Sequence, residues 1–204
     1  MDDFLAVFVA QKLGELDPNF VFIGENIGDP IPKGWPVPPF LKQAIIDVVN
    51  EPGDKVFVPT ITFTASAEVI RYLGADPVFL DVEYGACLIT PAILKAAVQR
   101  HPDAKALMLV HFGGQAADMD AIMEICRKQG LKLIEDAAHA FLTRYHGRPV
   151  GSFGDATCFS FYANKNITTG EGGMLVTDNE AIFQRVKVMR LHGVNRDVWD
   201  RHTA

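Results

Sequence analysis

From residue 51 onward, short apolar segments alternate with longer segments in which apolar residues recur at helical spacing. The apolar segments predict buried strands at residues 55–58, 77–80, 106–110 and 131–134, with added strands at 156–161 and 173–176. The amphipathic segments predict helices at residues 65–73, 90–100, 118–129 and 179–191. Because parallel strands need crossover connections and are covered on both faces, we expect an α/β fold with a mostly parallel sheet and helices on both faces.

Residues 1–50 have a different texture. Residues 2–16 predict a helix, whereas residues 23–39 are rich in glycine and proline. Proline is excluded from helix interiors and central strands, so residues 23–39 predict an arm or long loop, and residues 40–50 predict a short helix. We therefore expect a divergent N-terminal region over residues 1–50 and a sheet domain over residues 51–204.

Composition excludes several classes of protein. Apolar residues make up 49% of the 204 residues and charged residues 22%, as in ordinary folded proteins. With 19 basic and 25 acidic side chains the net charge is −6, which argues against nucleic acid as a partner. Three widely spaced cysteines give neither a zinc motif nor a disulfide framework, and we expect a cytoplasmic protein. No apolar run reaches the roughly 18 residues of a membrane span, so we expect no membrane partner.

Candidate functional residues follow the predicted strands, where ligands bind in open α/β sheets. Asp136 follows closely after the strand predicted at 131–134, and His139 comes three residues later. Asp136 is either the N-cap of a following helix or an acid placed to meet a cofactor nitrogen or a catalytic histidine. His111 follows the strand at 106–110 and is either a turn residue satisfied by backbone or a further site residue.

Lys165 lies between an apolar strand and the glycine-rich residues 170–173. Most lysines are solvated surface charges, but a desolvated lysine has a lowered pKa and can form a Schiff base with a carbonyl, including that of pyridoxal phosphate. That chemistry needs an acid facing the pyridinium nitrogen, which Asp136 can supply. Ser160 offers a hydroxyl for the phosphate, and Phe63 offers an aromatic ring to stack on the pyridine.

Several blocks of the chain carry a resemblance to a known family. In order, they are EPGDKVFVPT at 51–60, YLGADPVFLD at 72–81, VHFGGQAADMD at 110–120, IEDAAHA at 134–140, GSFGD at 151–155, FSF at 159–161 with KN at 165–166, GEGG at 170–173 and RLHG at 190–193. With these blocks the chain resembles the DegT/DnrJ/EryC1/StrS family of fold-type-I, pyridoxal-phosphate-dependent sugar aminotransferases. The resemblance implies an aspartate-aminotransferase-like large domain.

The resemblance also implies roles for the candidate residues. Lys165 would hold pyridoxal 5'-phosphate as a Schiff base and later move the substrate proton as a general base. Asp136 would stabilise the protonated pyridine nitrogen, and His139 would lie near the phenolic oxygen. Phe63 would stack on the ring and Ser160 would bind the phosphate. Lys165, Asp136 and His139 are thus the implied catalytic residues.

The same resemblance implies the substrates and the assembly. Glutamate or glutamine would donate the amino group and a keto sugar nucleotide would receive it, in nucleotide-sugar and polysaccharide biosynthesis. The active form would be a homodimer. In a dehydratase branch of the family, histidine replaces the lysine, so Lys165 favours amino transfer.

The sequence departs from the family pattern in two places. Family members carry a Ser/Gly-Thr turn that binds the cofactor phosphate ahead of the first block, and residues 45–50 show none; instead, residues 22–44 resemble the N-terminal arm of class I aminotransferases. The family also continues beyond the block at 190–193 into a C-terminal small domain, which we expect to be absent here. The alternative function is therefore a truncated, catalytically impaired domain that binds the cofactor weakly or not at all.

Two other kinds of site were weighed. A hydrolase would use Ser160, His139 and Asp136 with the amides of residues 113–114 as an oxyanion hole, but no Gly-x-Ser-x-Gly elbow surrounds the serine, and Lys165 would have no role. A metal site would use His111, His139 and Asp136, but no His-x-x-x-His spacing or further ligand supports it. We expect no metal.

Overall fold

The computed structural model describes residues 20–23 and 52–189. The strands are β1 (Phe20–Ile23), β2 (Lys55–Pro59), β3 (Asp76–Leu80), β4 (Ala106–Val110), β5 (Lys132–Asp136), β6 (Arg144–Tyr145), β7 (Arg148–Pro149), β8 (Ala156–Ser160) and β9 (Gly173–Val176). The α-helices are α1 (Ala65–Tyr72), α2 (Pro91–Arg100), α3 (Met119–Gln129) and α4 (Glu180–Met189). The predicted helices at 2–16 and 40–50, and nearly all of the predicted arm, lie outside the described residues.

Seven of these strands form one sheet with the order β1-β9-β8-β5-β4-β2-β3. Strands β3, β2, β4, β5 and β8 run parallel to one another. Strand β9 is antiparallel to β8, and β1 is antiparallel to β9. The predicted α/β fold with a mostly parallel sheet is confirmed, and the carboxyl ends of its five parallel strands share one edge.

The core lies on both faces of the sheet because successive strand residues point in opposite directions. In β2, Val56 and Val58 join a buried cluster with residues of α1 and α4. The intervening Phe57 joins a second cluster with residues of α2 and α3. All five residues of β4 are buried, as expected for a strand covered on both faces. The helices therefore cover both faces, as predicted.

Local signals set the helix boundaries. Helix α2 follows Thr90, whose hydroxyl accepts a hydrogen bond from the Ile93 amide at 3.3 Å, and has Pro91 in its first turn. Helix α3 follows the N-cap Asp118 and ends at Gly130, which has a φ of 68°. The predicted helices began at these capping residues, which explains the one-residue differences.

The sequence analysis missed two features. Strand β1 adds an edge to the sheet, with Phe20 opposite Val176. Strands β6 and β7 form a hairpin through His146 and Gly147, which both have positive φ. Each strand is at most four residues long and carries little periodicity of its own. Among the described helices, none combines the length and apolarity that crossing a bilayer requires.

Candidate active site

Asp136 is the last residue of β5 and its side chain is buried. The Ser66 hydroxyl donates to Asp136 Oδ2 at 2.7 Å, and the Ala138 amide donates to Asp136 Oδ1 at 3.1 Å. The alternative that Asp136 caps a helix is wrong, because the residues after β5 form turns. A buried carboxylate thus stands at the carboxyl edge of the sheet, held by two donors.

His139 lies in the turn that follows β5. The Gly113 amide donates to His139 Nδ1 at 3.3 Å, so the neutral ring carries its proton on Nε2. Burial lowers the pKa of His139, the positive charge of Lys165 lowers it further, and the charge of Asp136 opposes both. The imidazole is therefore held neutral near pH 7, with Nε2–H as a hydrogen-bond donor.

Lys165 follows β8, and its amide donates to the Tyr162 carbonyl at 3.0 Å in a turn. Its side chain is partly buried. Burial lowers the pKa of the Lys165 amine, and the negative charge of Asp136 partly offsets this effect. Because Asp136, His139 and Lys165 influence one another electrostatically, the structure brings these three sequence-predicted residues into one region.

The neighbouring Asn166 ties this region together. Its side-chain amide donates to the His139 carbonyl at 3.1 Å and to the Phe141 carbonyl at 3.2 Å. The loop that carries Lys165 is therefore fastened to the turn that carries His139. The sequence analysis quoted this asparagine as part of a motif but gave it no role.

The remaining predicted residues lie at the ends of two further parallel strands. Phe63 follows β2 and is 60% exposed. Ser160 is the last residue of β8 and is partly buried, and its hydroxyl oxygen accepts a hydrogen bond from the Tyr162 amide at 3.3 Å. Since β2, β5 and β8 are parallel members of one sheet, both residues lie at the same edge as Asp136.

The glycine-rich residues 170–173 lead back into β9. The Phe161 amide donates to the Gly172 carbonyl at 2.8 Å. Gly172 has a φ of 153°, which L side chains rarely adopt, and a Cβ there would overlap Thr169 Oγ1, so a larger residue would be strained. This segment fixes the loop between β8 and β9.

A buried hydrogen bond between His111 and Glu135 lies next to Asp136 in the sequence of β5 and was not predicted. His111 Nε2 donates to Glu135 Oε2 at 2.9 Å, and the Ala117 amide donates to His111 Nδ1 at 3.3 Å. Glu135 Oε1 also accepts from the Gly154 amide at 2.7 Å and the Thr157 hydroxyl at 2.8 Å. His111 thus has a backbone donor, as the turn interpretation expected, and a carboxylate partner in addition.

The two competing sites gain no support from this geometry. Asp136 is bonded to Ser66 and the Ala138 amide, and His139 Nδ1 accepts from Gly113, so these contacts do not form the relay of a serine hydrolase. In the described part of the chain, no group of three or more histidine, cysteine or acidic side chains is placed to hold a metal ion.

The two buried cysteines, Cys126 and Cys158, do not supply a nucleophile. Burial and the nearby Asp155 raise the pKa of Cys126 to about 12. Burial, followed by the charges of Asp136 and Glu135, raises the pKa of Cys158 well above its usual value. Both thiols therefore stay protonated at neutral pH.

Ser66 is the other residue that sequence reasoning missed. A signal was present, because Ser66 occupies the buried face of α1 together with the apolar Val69 and Ile70. A hydroxyl at such a position needs a partner inside the protein. The partner, Asp136, is 70 residues away and could not be identified from local pattern.

Comparison with known proteins gives consistent results. The model of the DegT/DnrJ/EryC1/StrS aminotransferase family matches residues 41–204. The spore coat polysaccharide biosynthesis protein SpsC of Bacillus subtilis is 48% identical over 153 residues, which are 75% of this chain and 39% of SpsC. This chain therefore spans well under half of that relative.

Solved structures agree with the sequence match. DesV of S. venezuelae, solved in complex with a ketimine intermediate, is 34% identical with a TM-score of 0.71, covering 78% of this chain and 43% of DesV. A DegT DnrJ EryC1 StrS aminotransferase from Brucella abortus is 27% identical with a TM-score of 0.78, covering 94% of this chain and 51% of that protein. These similarities confirm the fold-type-I aminotransferase architecture.

Proposed function

Because the chain belongs to the DegT/DnrJ/EryC1/StrS aminotransferase family, we propose that it transfers an amino group from glutamate or glutamine to a keto sugar nucleotide, with pyridoxal 5'-phosphate held by Lys165. The family and the structural neighbours are pyridoxal-phosphate-dependent aminotransferases. The observation that carries the proposal is the partly buried Lys165 amine, with its lowered pKa, within electrostatic reach of the buried Asp136.

The side chains present fit pyridoxal phosphate by their chemistry. An amine with a lowered pKa, a buried carboxylate, a neutral imidazole and an exposed aromatic ring match its aldehyde, ring nitrogen, phenolic oxygen and ring face. When bound, the cofactor supplies an electron sink for the charge left after a substrate Cα–H proton is removed. The residues that would hold it are Lys165, Asp136, His139, Phe63 and Ser160.

Lys165 has two tasks in this proposal. Its Nζ would hold the cofactor carbonyl as a nucleophile, and a lowered pKa raises the fraction of neutral amine available for this at neutral pH. As a free amine, Nζ would also serve as the general base that takes up the proton from the substrate Cα. The loop contact made by Asn166 keeps this amine near the site throughout.

Asp136 and His139 have fixed and different tasks. Asp136 is a carboxylate with one donor on each oxygen, and it would keep a proton on the ring nitrogen. His139 is neutral with its proton on Nε2, so it would donate a hydrogen bond to the phenolic oxygen and would not carry charge. Phe63 would cover one face of the ring, and Ser160 would donate a hydrogen bond to the phosphate group.

The substrate class and the setting are parts of the same proposal. SpsC is named for spore coat polysaccharide biosynthesis, which supports a sugar acceptor. We place the activity in nucleotide-sugar biosynthesis for a polysaccharide. The absence of disulfides among the three cysteines, all within the described region, agrees with a cytoplasmic location. We also propose a homodimer as the active form.

The test follows nitrogen from donor to acceptor. Purified protein with pyridoxal phosphate is given a nucleotide-linked keto sugar and either amine-labelled ¹⁵N-glutamate or ¹⁵N-glutamine. We expect the label in an amino sugar nucleotide, detected by mass spectrometry, together with release of the matching keto acid. The Lys165→Ala variant should lower the rate by at least about a thousandfold because both tasks of the amine are lost. Release of keto acid without any ¹⁵N in the sugar nucleotide would contradict the acceptor class, and no reaction with either donor would contradict the enzyme.

A further inference from the structure

Ser66 is completely buried in the first turn of α1, where it contacts Asp136. Its hydroxyl lies 2.7 Å from Asp136 Oδ2 and 2.8 Å from Thr62 Oγ1. Thr62 is partly buried and precedes α1. The carboxylate of Asp136 is therefore backed by two hydroxyl groups, one from the segment between β2 and α1 and one from the first turn of α1.

The direction of these hydrogen bonds follows from their chemistry. An ionised carboxylate only accepts, and a serine hydroxyl has one proton, so Ser66 donates that proton to Asp136. Ser66 Oγ can then only accept from Thr62, which makes Thr62 the donor of the outer bond. The result is a relay of two short hydrogen bonds, in which Thr62 donates to Ser66 and Ser66 donates to the charged carboxylate of Asp136.

The relay fixes how Asp136 presents its oxygens. Ser66 holds Oδ2 and the Ala138 amide holds Oδ1, so the carboxylate plane is set from two sides. Each oxygen retains capacity for a further donor, because a carboxylate offers about four acceptor positions. A donor that approaches from the open edge of the sheet would meet a carboxylate that is already oriented.

We infer that Ser66, backed by Thr62, is a positioning residue that orients Asp136 toward the ring nitrogen of pyridoxal phosphate. The inference rests on the proposed function and adds to it a determinant outside the residues that would touch the cofactor. It differs from a merely structural tie between α1 and β5, because its effect should depend on the presence of the ring nitrogen.

A cofactor-free measurement tests the relay itself. The side-chain carboxyl ¹³C resonance of Asp136, assigned with an Asp136→Asn variant, responds to the hydrogen bonds that the carboxylate accepts. Ser66→Ala should move it most, and Thr62→Val, which removes only the outer hydroxyl at nearly constant shape, should move it less. The control Thr64→Val should leave it in place, since Thr64 is exposed and makes no side-chain cap bond. An unmoved resonance in both Ser66→Ala and Thr62→Val would overturn the inference.

A binding measurement tests the role of Ser66 toward the cofactor. The dissociation constants of pyridoxal phosphate and of its 1-deaza analogue, in which carbon replaces the ring nitrogen, are compared by absorbance titration. Ser66→Ala should weaken pyridoxal phosphate binding about tenfold, as expected for a lost bond to a charged group, and change analogue binding less than about twofold. Thr62→Val should show the same selectivity with a smaller effect.

Equal weakening of both ligands would overturn the positioning role and leave a structural one. Thermal unfolding of each variant shows whether it is folded. If Ser66→Ala does not fold, the comparison of the two ligands in Thr62→Val decides the test. If the wild-type protein binds neither ligand, the proposed function fails, while the carboxyl resonance still decides whether the relay orients Asp136.

Discussion

The side chains of Lys165 and His139 share surroundings that disfavour positive charge. Burial is the largest cause for both, and the charge of Lys165 further lowers the pKa of His139. Asp136 acts in the opposite direction on each of them. The imidazole of His139 is therefore neutral near pH 7, and the amine of Lys165 loses its proton more readily than an ordinary lysine.

This coupling predicts how His139 titrates. Its pKa should lie below the ordinary 6.5, with Nδ1 unprotonated at neutral pH. Lys165→Met removes a positive charge but keeps the alkyl stem, so the pKa of His139 should rise. Asp136→Asn removes the opposing negative charge, so the same pKa should fall. Long-range ¹H–¹⁵N NMR of the imidazole across a pH series measures both the pKa and the tautomer. A fall of this pKa in Lys165→Met, or a rise in Asp136→Asn, would contradict the proximity of the three groups.

At the scale of single residues, the sequence predicted the candidate site residues and missed the buried residues that hold the site in place from inside the protein. Asp136 and Lys165 follow apolar strands, and the resemblance to the family gave each a role. Ser66 and Glu135 lie on buried faces, and their partners come from strands or helices that are distant in sequence. Such pairs are set by the packing of the sheet, which local pattern does not encode.

At the scale of elements, β5 carries adjacent acidic residues that point to opposite faces of the sheet. Asp136 is held by α1 on one side, whereas Glu135 is held by His111, Gly154 and Thr157 on the other. His111 directly follows β4 and Thr157 lies in β8, so the contacts of Glu135 tie β5 to both neighbouring strands.

Glu135→Gln should destabilise the fold. The new amide group would place its NH₂ against His111 Nε2–H or, turned over, against the Gly154 amide, and the other imidazole tautomer would place Nδ1–H against the Ala117 amide. Every arrangement sets two donors against each other, so we expect a loss of about 2 kcal/mol in the free energy of unfolding, measured with urea. The matched control is Glu124→Gln on the surface of α3, where the loss of a solvent-exposed pair with Lys128 should cost much less than the buried change. Equal losses for the two variants would contradict a buried role for Glu135.

The strands and helices differed in how clearly the sequence predicted them. The five parallel strands and the four helices were predicted because each has its own apolar pattern and, for α2 and α3, its own cap. Strand β1 and the β6–β7 hairpin were missed because short strands depend on their partners. The Pro/Gly-rich composition near β1 also directed the interpretation toward an arm.

At the scale of the molecule, the fold brings the candidate site residues together at the carboxyl ends of the parallel strands. The parallel strands β2, β5 and β8 end there with Phe63, Asp136 and Ser160 on or just after them, and Lys165 follows. The loop between β8 and β9 is anchored by glycine geometry and by Asn166. This arrangement made the fold predictable from alternation, while the site required the resemblance to identify its cofactor.

The chain spans 39% of SpsC, and its proposed site depends on a single lysine. We expect this lysine, Lys165, to react with pyridoxal phosphate where the other lysines do not. A surface lysine such as Lys95 on α2 is exposed and gives the matched comparison.

The most direct measurement is a map of borohydride-reduced protein. Purified protein is mixed with pyridoxal phosphate, reduced, digested and analysed by mass spectrometry, which locates every lysine that has bound the cofactor covalently. We expect the added mass at Lys165 at stoichiometric cofactor, retained in Lys95→Ala and lost in Lys165→Ala together with the visible absorption band. Added mass spread over exposed lysines such as Lys95, with Lys165 unlabelled in the wild-type protein, would contradict the account.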